Sequence, residues 1–307
     1  MRDRVIGVDV GGTKVSVAVL EGSTLLEPRI LATDTSDAAH LIDQLVGAIE
    51  EAGPAQAVGV AVPSVVDFAS GRVRASVNVP LAEVALRDVL RERIGVPVVV
   101  DNDATCAALA EAYDDDGALV ARHLVMFTIG TGVGAGIVID GRVYRGATGA
   151  AAELGHTIVG ADLSRTPFTH ADGFPQRGSV ESLGSGTALN ALGRVYGIPA
   201  GTVVDAARDG HPGAAAALEL LGRRLGVAIA NAINTFDPDL VVIGGGVCFA
   251  GELLLGPARE EAARHVLTGV GTRTQICRAR YGSQAGVRGA ALLARQEAAR
   301  EYEVGVR

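Results

Sequence analysis

The sequence predicts an α/β protein built from two related halves, and three observations indicate this fold class. Short runs of β-branched residues alternate with longer stretches whose apolar residues recur every three or four positions, the pattern of buried strands joined by amphipathic helices. The chain of 307 residues is 48% hydrophobic and contains 41 glycines, which suits a large core with many tight turns. The third observation is an internal repeat, because residues 9–22 and 128–141 align without a gap.

Each copy of the repeat reads as a glycine-rich hairpin. Strands Val5–Val10 and Val15–Leu20 flank Gly11-Gly12-Thr13 in the first copy, and the second copy repeats this arrangement between Leu124 and Ile139. Glycine suits such turns because it readily adopts positive φ angles, which we expect here. Two ordinary hairpins could match over so short a length, but we favour a duplicated domain with one hairpin in each half.

The other elements continue the alternation of strands and helices. Strands are predicted at Val58–Val62, Val98–Val100, Leu124–Thr128, Ile137–Ile139, Leu240–Ile243 and Arg273–Arg280. Helices are predicted at Ala39–Ala52, Val84–Ile94, Gly186–Tyr196, Val203–Asp209, Gly213–Phe236, Pro257–Val266 and Val287–Tyr302, with a further helix beginning at Ala104. No linker separates the halves, so we expect them to meet across a tight hinge near the helix after Asp103.

Charge and composition argue against several classes of protein. A formal net charge of −8 disfavours nucleic-acid and anionic-membrane partners. No apolar run is long enough to span a bilayer, and the N-terminus leads directly into a strand instead of forming a signal peptide. The three cysteines, Cys106, Cys248 and Cys277, form neither a disulfide framework nor a CxxC metal site. We therefore expect a cytoplasmic protein.

The segment from Val98 to Ala112 is the strongest candidate for chemistry. It reads as a buried strand that ends at Asp101, Asn102 and Asp103 and is followed by an alanine-rich helix. One Asp or Asn would be enough to cap this helix. Three polar residues, which we expect to be exposed, exceed that need, and α/β folds bind ligands at the carboxyl ends of parallel strands. Capping and ligand binding are equal alternatives at this point.

The glycine loops suit anion binding, because loops after strands expose backbone amides that form a concavity for phosphate. Asp9, at the mouth of the first loop, could hold Mg²⁺ through water. Each loop alone is weak evidence, since neither matches a Walker A or dinucleotide motif. Together with a third loop they suggest a nucleotide bound from both halves. The candidate nucleotide-binding residues are Asp9, Gly11, Gly12, Thr13, Lys14, Thr128, Gly130, Thr131, Gly132, Gly134, Gly244, Gly245 and Gly246.

Five motifs, taken in order, resemble one known family. They are Asp9–Lys14 (DVGGTK), the Asn102-Asp103 pair, the loop 130–136, Glu153–His156 (ELGH) and Asp237–Gly246 (DPDLVVIGGG). Each motif is modest alone, but the ordered set covers nearly the whole chain and resembles the repressor–ORF–kinase (ROK) family of sugar kinases. The resemblance implies the two-lobed actin–hexokinase–Hsp70 (ribonuclease H-like) fold, with a mixed five-stranded sheet in each lobe.

The resemblance also implies how the chain is divided. A small N-terminal lobe would comprise residues 1–106 and be closed by a returning helix at 288–307, and a large lobe would comprise residues 107–287. It further implies an ATP-dependent hexose kinase that uses Mg²⁺, with Asp103 as the general base for the attacking sugar hydroxyl. Glucose is the first expected substrate, and N-acetylmannosamine, N-acetylglucosamine, fructose and allose are alternatives because selectivity depends on pocket shape. A homodimer is the family expectation.

Six residues correspond to sugar contacts in the family, and carboxylates and amides suit sugar hydroxyls. Simpler explanations exist for several of them: a turn residue, surface residues of a glycine-rich loop, or a charge at the start of a helix. The implied sugar contacts are Asn78, Asn102, Asp103, Glu153, His156 and Glu181.

Two other functions are weighed against the kinase. The family includes transcription regulators, which carry a helix-turn-helix domain before the first hairpin. Here that hairpin begins within ten residues of Met1, which argues against a DNA-binding head. A non-catalytic sugar sensor is disfavoured because Asp103 and both phosphate loops are retained.

The sequence departs from the family at a zinc site. Zinc-containing members bind the metal with the histidine of the ELGH motif and three cysteines, whose positions here are Asp172, Phe174 and Ser179. Phenylalanine cannot ligate and serine is a poor ligand, so we expect no structural zinc. A substitute site is the alternative, with Asp162 or His170 joining His156 and Asp172. Without zinc, the loop would be held by Phe168 and Phe174 and by turns at Pro167 and Pro175.

Overall fold

The computed structural model describes residues 4–76, 78–160 and 173–305, with side chains described up to residue 300. The chain folds into two compact units. The first unit comprises Met1–Arg122, Gly136–Ala152 and Arg280–Arg307, and the second comprises His123–Ala135 and Glu153–Ala279. The division implied by the resemblance differs, since it ends the first lobe at residue 106. In the structure, the helix after Asp103 packs on the C-terminal helix and belongs wholly to the first unit.

Strands and helices alternate along the described chain. The strands are β1 (Arg4–Val10), β2 (Lys14–Glu21), β3 (Thr24–Leu25), β4 (Arg29–Ala32), β5 (Val58–Val62), β6 (Ser64–Asp67), β7 (Arg72–Ser76), β8 (Val98–Asn102), β9 (Leu124–Ile129), β10 (Val133–Ile139), β11 (Arg142–Val143), β12 (Leu240–Gly244) and β13 (Gln275–Arg278). The helices are α1 (Ala38–Ala52), α2 (Leu86–Ile94), α3 (Asp103–Glu111), α4 (Val180–Gly184), α5 (Gly186–Val195), α6 (Val203–Arg208), α7 (Pro212–Phe236), α8 (Glu252–His265) and α9 (Ala285–Gly305). Across the described ranges, none of these helices has both the length and the hydropathy that crossing a bilayer requires.

The first unit is built on a mixed sheet with the strand order β3-β2-β1-β5-β8. β1 pairs antiparallel with β2 and parallel with β5, and β5 pairs parallel with β8. The sheet has six strands where five were expected, because the short β3 covers only the end of β2 and leaves the rest of that edge to β4. Asp9 is in register with Ala61, and Ala61 with Asp101. The ends of β1 and β8 therefore bring Asp9 and Asn102 to one edge of the sheet.

Both faces of this sheet are covered. α1 and α2 cover one face, and the core there includes Val8, Leu41, Leu45, Val60 and Leu90. α3 and α9 cover the other face, where α9 lies against β1, β5 and α3. A Cβ on Gly7 or Gly59 would overlap a carbonyl oxygen of α9, and a Cβ on Gly289 would overlap a carbonyl oxygen of α3. Glycine at these three positions lets the backbones approach closely enough to pack.

The second sheet has the order β11-β10-β9-β12-β13. β9, β12 and β13 are parallel neighbours, and β10 pairs antiparallel with β11. β10 begins in the second unit, and its residues from Gly136 onward belong to the first. In the second unit α7 packs on α8, where a Cβ on Gly222 or Gly226 would lie 2.5 or 2.6 Å from a carbonyl oxygen of α8. The predicted α/β fold with two mixed sheets is confirmed.

The starts of α8 and β10 differ most from the sequence-based expectation. α8 begins at Glu252 instead of Pro257, which lies inside the helix, so proline does not mark the helix start here. β10 begins at Val133 instead of Ile137, because Gly134 and Gly136 belong to the strand and not to the loop. Strand β7 was not predicted at all, since the two arginines that flank its buried Val73 hide the alternation of apolar residues.

Candidate active site

The first hairpin joins β1 to β2 and carries residues 11–14. The amide of Gly11 donates to the carbonyl of Lys14 at 2.8 Å, and the Thr33 hydroxyl donates to the carbonyl of Gly11 at 2.7 Å. The expectation of positive φ at this turn is wrong, since neither Gly11 nor Gly12 adopts it. Gly12 is favoured by space instead, because a Cβ there would lie 3.3 Å from the carbonyl oxygen of Asn78. The structure thus places the exposed Asn78 beside this hairpin, where Thr13 and Lys14 are also exposed.

Asp9 is the charged group at the base of this hairpin. It is half-buried near the end of β1, and its carboxylate lies against the first turn of α9, where a Cβ on Gly286 would be 2.5 Å from Oδ2. Burial, and then the negative charge of Asp103, raise the pKa of Asp9 to about 7, and Lys14 partly opposes them. A desolvated carboxylate of this kind gains from a nearby cation, so Asp9 fits the role of holding Mg²⁺.

Asp101, Asn102 and Asp103 have three different roles. Asn102 is the N-cap of α3, because its side-chain oxygen accepts from the amide of Thr105 at 3.1 Å. Asp103 is the first residue of α3 and is half-buried, and one of its oxygens accepts from the amide of Ala104 at 2.8 Å. Since Asn102 already caps the helix, capping does not explain Asp103.

The expectation that Asp101 is exposed is wrong. Its side chain is 2% exposed and pairs with Nε of Arg145 at 2.8 Å. The guanidinium of Arg145 also stacks on the ring of Phe68, with 3.5 Å from Cζ to the ring centroid. Asp101 therefore anchors the residues before Asp103 and does not face a ligand.

The second hairpin joins β9 to β10 within the second unit. The amide of Gly130 donates to the carbonyl of Gly132 at 3.0 Å, and Gly186 donates to the carbonyl of Gly130 at 2.8 Å. Positive φ was expected here too, and it is absent at Gly130 and Gly132. Thr128 and Gly134 lie on the flanking strands and are half-buried.

Glu181 binds this hairpin directly. Its Oε2 accepts from the amide of Val133 at 2.8 Å, and a Cβ on Gly132 would overlap the same oxygen. Glu181 also lies in the first turn of α4, so the simpler interpretation as a charge at a helix start is correct as far as it goes. Its contact with the hairpin is an additional role that the sequence did not indicate.

Glu153 and His156 flank a short 3₁₀ turn in the second unit. This turn packs against the start of β10, because a Cβ on Gly155 would overlap the carbonyl oxygen of Val133. Glu153 is exposed, and its carboxylate lies 3.8 Å from Nε2 of His156. Nδ1 of His156 is buried and has no hydrogen-bond partner among the described residues.

The region of the expected zinc site is described only in part. Ser179, at one of the cysteine positions, is fully buried and is the N-cap of α4. Phe174, at another, is 76% exposed and makes an edge-to-face contact with the ring of His156 at 5.0 Å. The packing expected of Phe174 in this loop stays a prediction, because most of the loop lies outside the described residues. The remaining positions named for this loop, Asp162, Pro167, Phe168, His170 and Asp172, lie outside the described residues.

The third glycine loop follows β12. Gly245 has φ 83°, and a Cβ there would overlap the backbone of Ile129 at the end of β9, so glycine is required. Gly244 is buried and in register with Thr128, whereas Gly246 is exposed.

A cavity of about 360 Å³ lies in the second unit beside these loops. Three predicted nucleotide-binding residues line it, namely Gly130, Thr131 and Gly246. The sequence did not single out its other walls, and the only local signal for them is the run of small residues at the start of α5. The additional lining residues are Gly186, Thr187, Leu189, Asn190, Gly201, Val203, Val204 and Val247.

A larger cleft of about 710 Å³ between α7 and α8 contains no predicted site residue. Three of its charged side chains pair with one another, since Arg223 and Arg264 bind Glu261 at 3.0 and 2.9 Å. The smaller cavity, which the glycine loops border, is therefore the candidate site for a nucleotide.

Comparisons with known proteins agree with the motifs. The sequence matches the model of the ROK family over residues 5–297. A glucokinase of Streptomyces coelicolor is 32% identical over 318 residues, which cover 95% of this chain and 97% of that protein. An N-acetyl-D-glucosamine kinase of Photobacterium profundum is 33% identical, covering 94% of this chain and 98% of that protein. The crystal structure of a ROK family glucokinase from Streptomyces griseus, in complex with glucose and AMPPNP, aligns with a TM-score of 0.77 and 32% identity, covering 95% of this chain and 99% of that chain. The chain therefore belongs to the ROK family.

Proposed function

We propose that this protein is an ATP-dependent hexose kinase whose first substrate is glucose. One observation carries the proposal: Asp103 lies half-buried at the end of a parallel strand, is not needed as the helix cap, and is coupled electrostatically to Asp9 beside a glycine hairpin. A carboxylate in this position suits the transfer of a proton from an attacking hydroxyl group. The glucokinase and N-acetylglucosamine kinase relatives support the same class of reaction.

The first unit supplies the acid–base group. Asp103 accepts the proton of the sugar hydroxyl as that oxygen attacks the γ-phosphate, and Asp9 would hold Mg²⁺. When bound, the cation neutralises charge on the transferring phosphoryl group. Asn78 is exposed and available to a sugar hydroxyl, whereas the oxygen of Asn102 is already engaged in the helix cap. Asn102 therefore contributes its amide nitrogen, which now lies 3.4 Å from the carbonyl of Ser64.

The second unit supplies the nucleotide site. Leu189, Val203, Val204 and Val247 give the cavity apolar walls for a planar base. The hairpin at Gly130 and the loop at Gly246 border the same cavity and offer backbone amides to the phosphates. Glu181 positions the hairpin through Val133, and Glu153 and His156 remain candidates for sugar contacts.

Two sugars head the list of substrates, because the relatives include kinases of both glucose and N-acetylglucosamine. The test is to measure ADP release and sugar phosphate formation with glucose, N-acetylglucosamine, N-acetylmannosamine, fructose and allose under identical conditions. We expect phosphorylation of at least one sugar, with the highest kcat/KM for glucose. ADP release at the sugar-free background rate with every sugar would refute the kinase assignment. A higher kcat/KM for an N-acetylhexosamine would refute only the choice of glucose.

A further inference from the structure

The cavity beside the second hairpin presents very little polar chemistry to a base. Among the described residues that line it none is charged, and the polar side chains are Thr131, Thr187 and Asn190. The hydroxyl of Thr187 donates its hydrogen to the carbonyl of Thr131 at 2.8 Å. Base recognition by side chains therefore depends mainly on Asn190.

The orientation of the Asn190 amide is fixed by a neighbour. Its Oδ1 accepts from the backbone amide of Gly201 at 2.8 Å, which identifies the oxygen and leaves Nδ2 as the other end. Nδ2 has no hydrogen-bond partner among the described residues. Oδ1 is therefore directed at Gly201, and Nδ2 is the polar end of Asn190 that is left to act as a hydrogen-bond donor in the cavity.

A donor at this position does not distinguish the two purines. Adenine and guanine both present N7 as an acceptor, and guanine adds the acceptor O6 where adenine has its amino group. Selecting adenine would require an acceptor aimed at that amino group, and the oxygen of Asn190 is directed at the amide of Gly201 instead.

Building on the proposed kinase function, we propose that Asn190 contacts the base of the phosphoryl donor as a hydrogen-bond donor, so that the enzyme accepts both ATP and GTP. Cytosine presents its amino group as a donor at the corresponding edge, so CTP is used less well. The substrate class of this site is then the purine nucleoside triphosphates and not ATP alone.

The first test compares nucleotides in the wild-type enzyme with the best sugar. Because one neutral hydrogen bond contributes about 0.5–1.5 kcal/mol, we expect kcat/KM for ATP and GTP to agree within about tenfold. CTP should give the lowest kcat/KM of the three. A preference for ATP over GTP greater than about 100-fold would overturn the proposal.

The second test reverses the polarity of the side chain. In Asn190→Asp one oxygen can still accept from Gly201, and the other becomes an acceptor that suits adenine and repels guanine. The ratio of kcat/KM for ATP to that for GTP should rise at least about tenfold, in line with the 1–3 kcal/mol typical of base discrimination. The added charge weakens binding of both triphosphates alike, so it cancels in the ratio. An unchanged ratio would overturn the proposal.

A control variant and a binding measurement separate this proposal from the kinase assignment. Asn190→Ala removes the donor without adding an acceptor, so it should weaken both nucleotides while leaving their ratio close to the wild-type value. For each of the three proteins, the dissociation constants of fluorescent ATP and GTP analogues, measured without sugar, should differ by the same ratio as its values of kcat/KM. If no sugar is phosphorylated but these ratios hold, the kinase assignment fails and the inference about the base stands. If neither nucleotide binds, the inference itself is overturned.

Discussion

The two glycine hairpins align residue for residue, yet they are supported by different chemistry. Asp9, at the start of the first repeat, occupies the position that Thr128 occupies in the second. In the first unit the hairpin lies beside charged groups, since Asp9 is coupled to both Asp103 and Lys14. In the second unit the hairpin is held by backbone hydrogen bonds from Gly186 and by Glu181 accepting from Val133.

This difference shows how a repeated backbone can serve two tasks. Beside the first hairpin lies the carboxylate of Asp9, whose ionisation is costly because its pKa is raised. Such a group suits a site that binds a cation and transfers a proton. At the second hairpin the carboxylate of Glu181, on α4, accepts a hydrogen bond from the hairpin amide of Val133. This hairpin borders a cavity that has no charged residue among its described lining, which suits a bound nucleotide. Four predictions test this division, in decreasing order of expected effect.

Asp103→Asn should abolish most of the turnover, because it removes the proposed general base with little change in shape. Loss of such a group typically lowers kcat by about 10²–10⁴-fold. Steady-state kinetics with saturating sugar and ATP provide the measurement. Asp88→Asn is a matched control, since Asp88 is an exposed acid in the first turn of α2. If Asp103→Asn keeps more than about a tenth of the wild-type kcat, Asp103 is not the base.

Arg145→Met should destabilise the first unit, because it leaves the buried Asp101 without its partner. Breaking a buried pair typically costs about 3–5 kcal/mol in the free energy of unfolding, which denaturant titration would measure. Arg122→Met is the control, since the Arg122–Asp140 pair is exposed on both sides and an exposed pair contributes about 1 kcal/mol or less. Equal losses in the two variants would contradict the anchoring role given to Asp101.

Asp9→Asn should remove a pH dependence of stability. Between the ordinary pKa of an aspartate and the raised value of about 7, the unfolded chain has lost a proton that folded Asp9 still holds. The contribution of Asp9 to stability therefore falls as the pH rises from about 4 to about 7, by at most about 4 kcal/mol. Unfolding of both proteins in magnesium-free buffer at pH 5 and pH 8 would show whether Asp9→Asn gains stability relative to wild type at the higher pH. A constant difference would mean that the pKa of Asp9 is not raised.

Gly132→Ala and Gly12→Ala should differ although they are equivalent in the repeat. A methyl group at Gly132 overlaps Glu181, and overpacking of this kind typically costs about 1–3 kcal/mol. A methyl group at Gly12 approaches Asn78 at 3.3 Å, which we expect to cost about 0.5 kcal/mol or less. Thermal unfolding and the KM for ATP are the measurements, and adding Glu181→Ala to Gly132→Ala should recover part of the loss. Similar costs at both glycines would remove the distinction between the hairpins.

Local patterns predicted the elements well, because they depend on neighbouring residues. The first hairpin, β5, β12 and the long α7 were predicted within one or two residues from apolar spacing and turn residues. The burial of Asp101 could not be predicted in this way, since its partner Arg145 lies 44 residues away. The same limit applies to Glu181, whose contact with the amide of Val133 joins two elements 48 residues apart.

The same limit applies to the candidate site: local motifs indicated some of its residues, and only the fold brings the others to it. The motifs indicated the glycine loops and Asp103, because the residues that make up each single motif are adjacent in sequence. They missed Asn190 and most of the cavity walls, since α5, α6 and the loop after β12 meet only in three dimensions. They also misjudged why glycine is needed in the two hairpins, because crowding by Asn78 and Glu181 cannot be seen from the turn alone.

The close packing of α9 has a consequence for synthesis of the protein. β1 and β5 are made early, yet the face that they share is covered by α9, which is synthesised after the strands of both sheets. Because Gly7 and Gly59 have no side chains, little but α9 can shield that part of the face. The second unit, whose residues all precede Arg280, can therefore be synthesised completely before the helix that covers the first sheet is made.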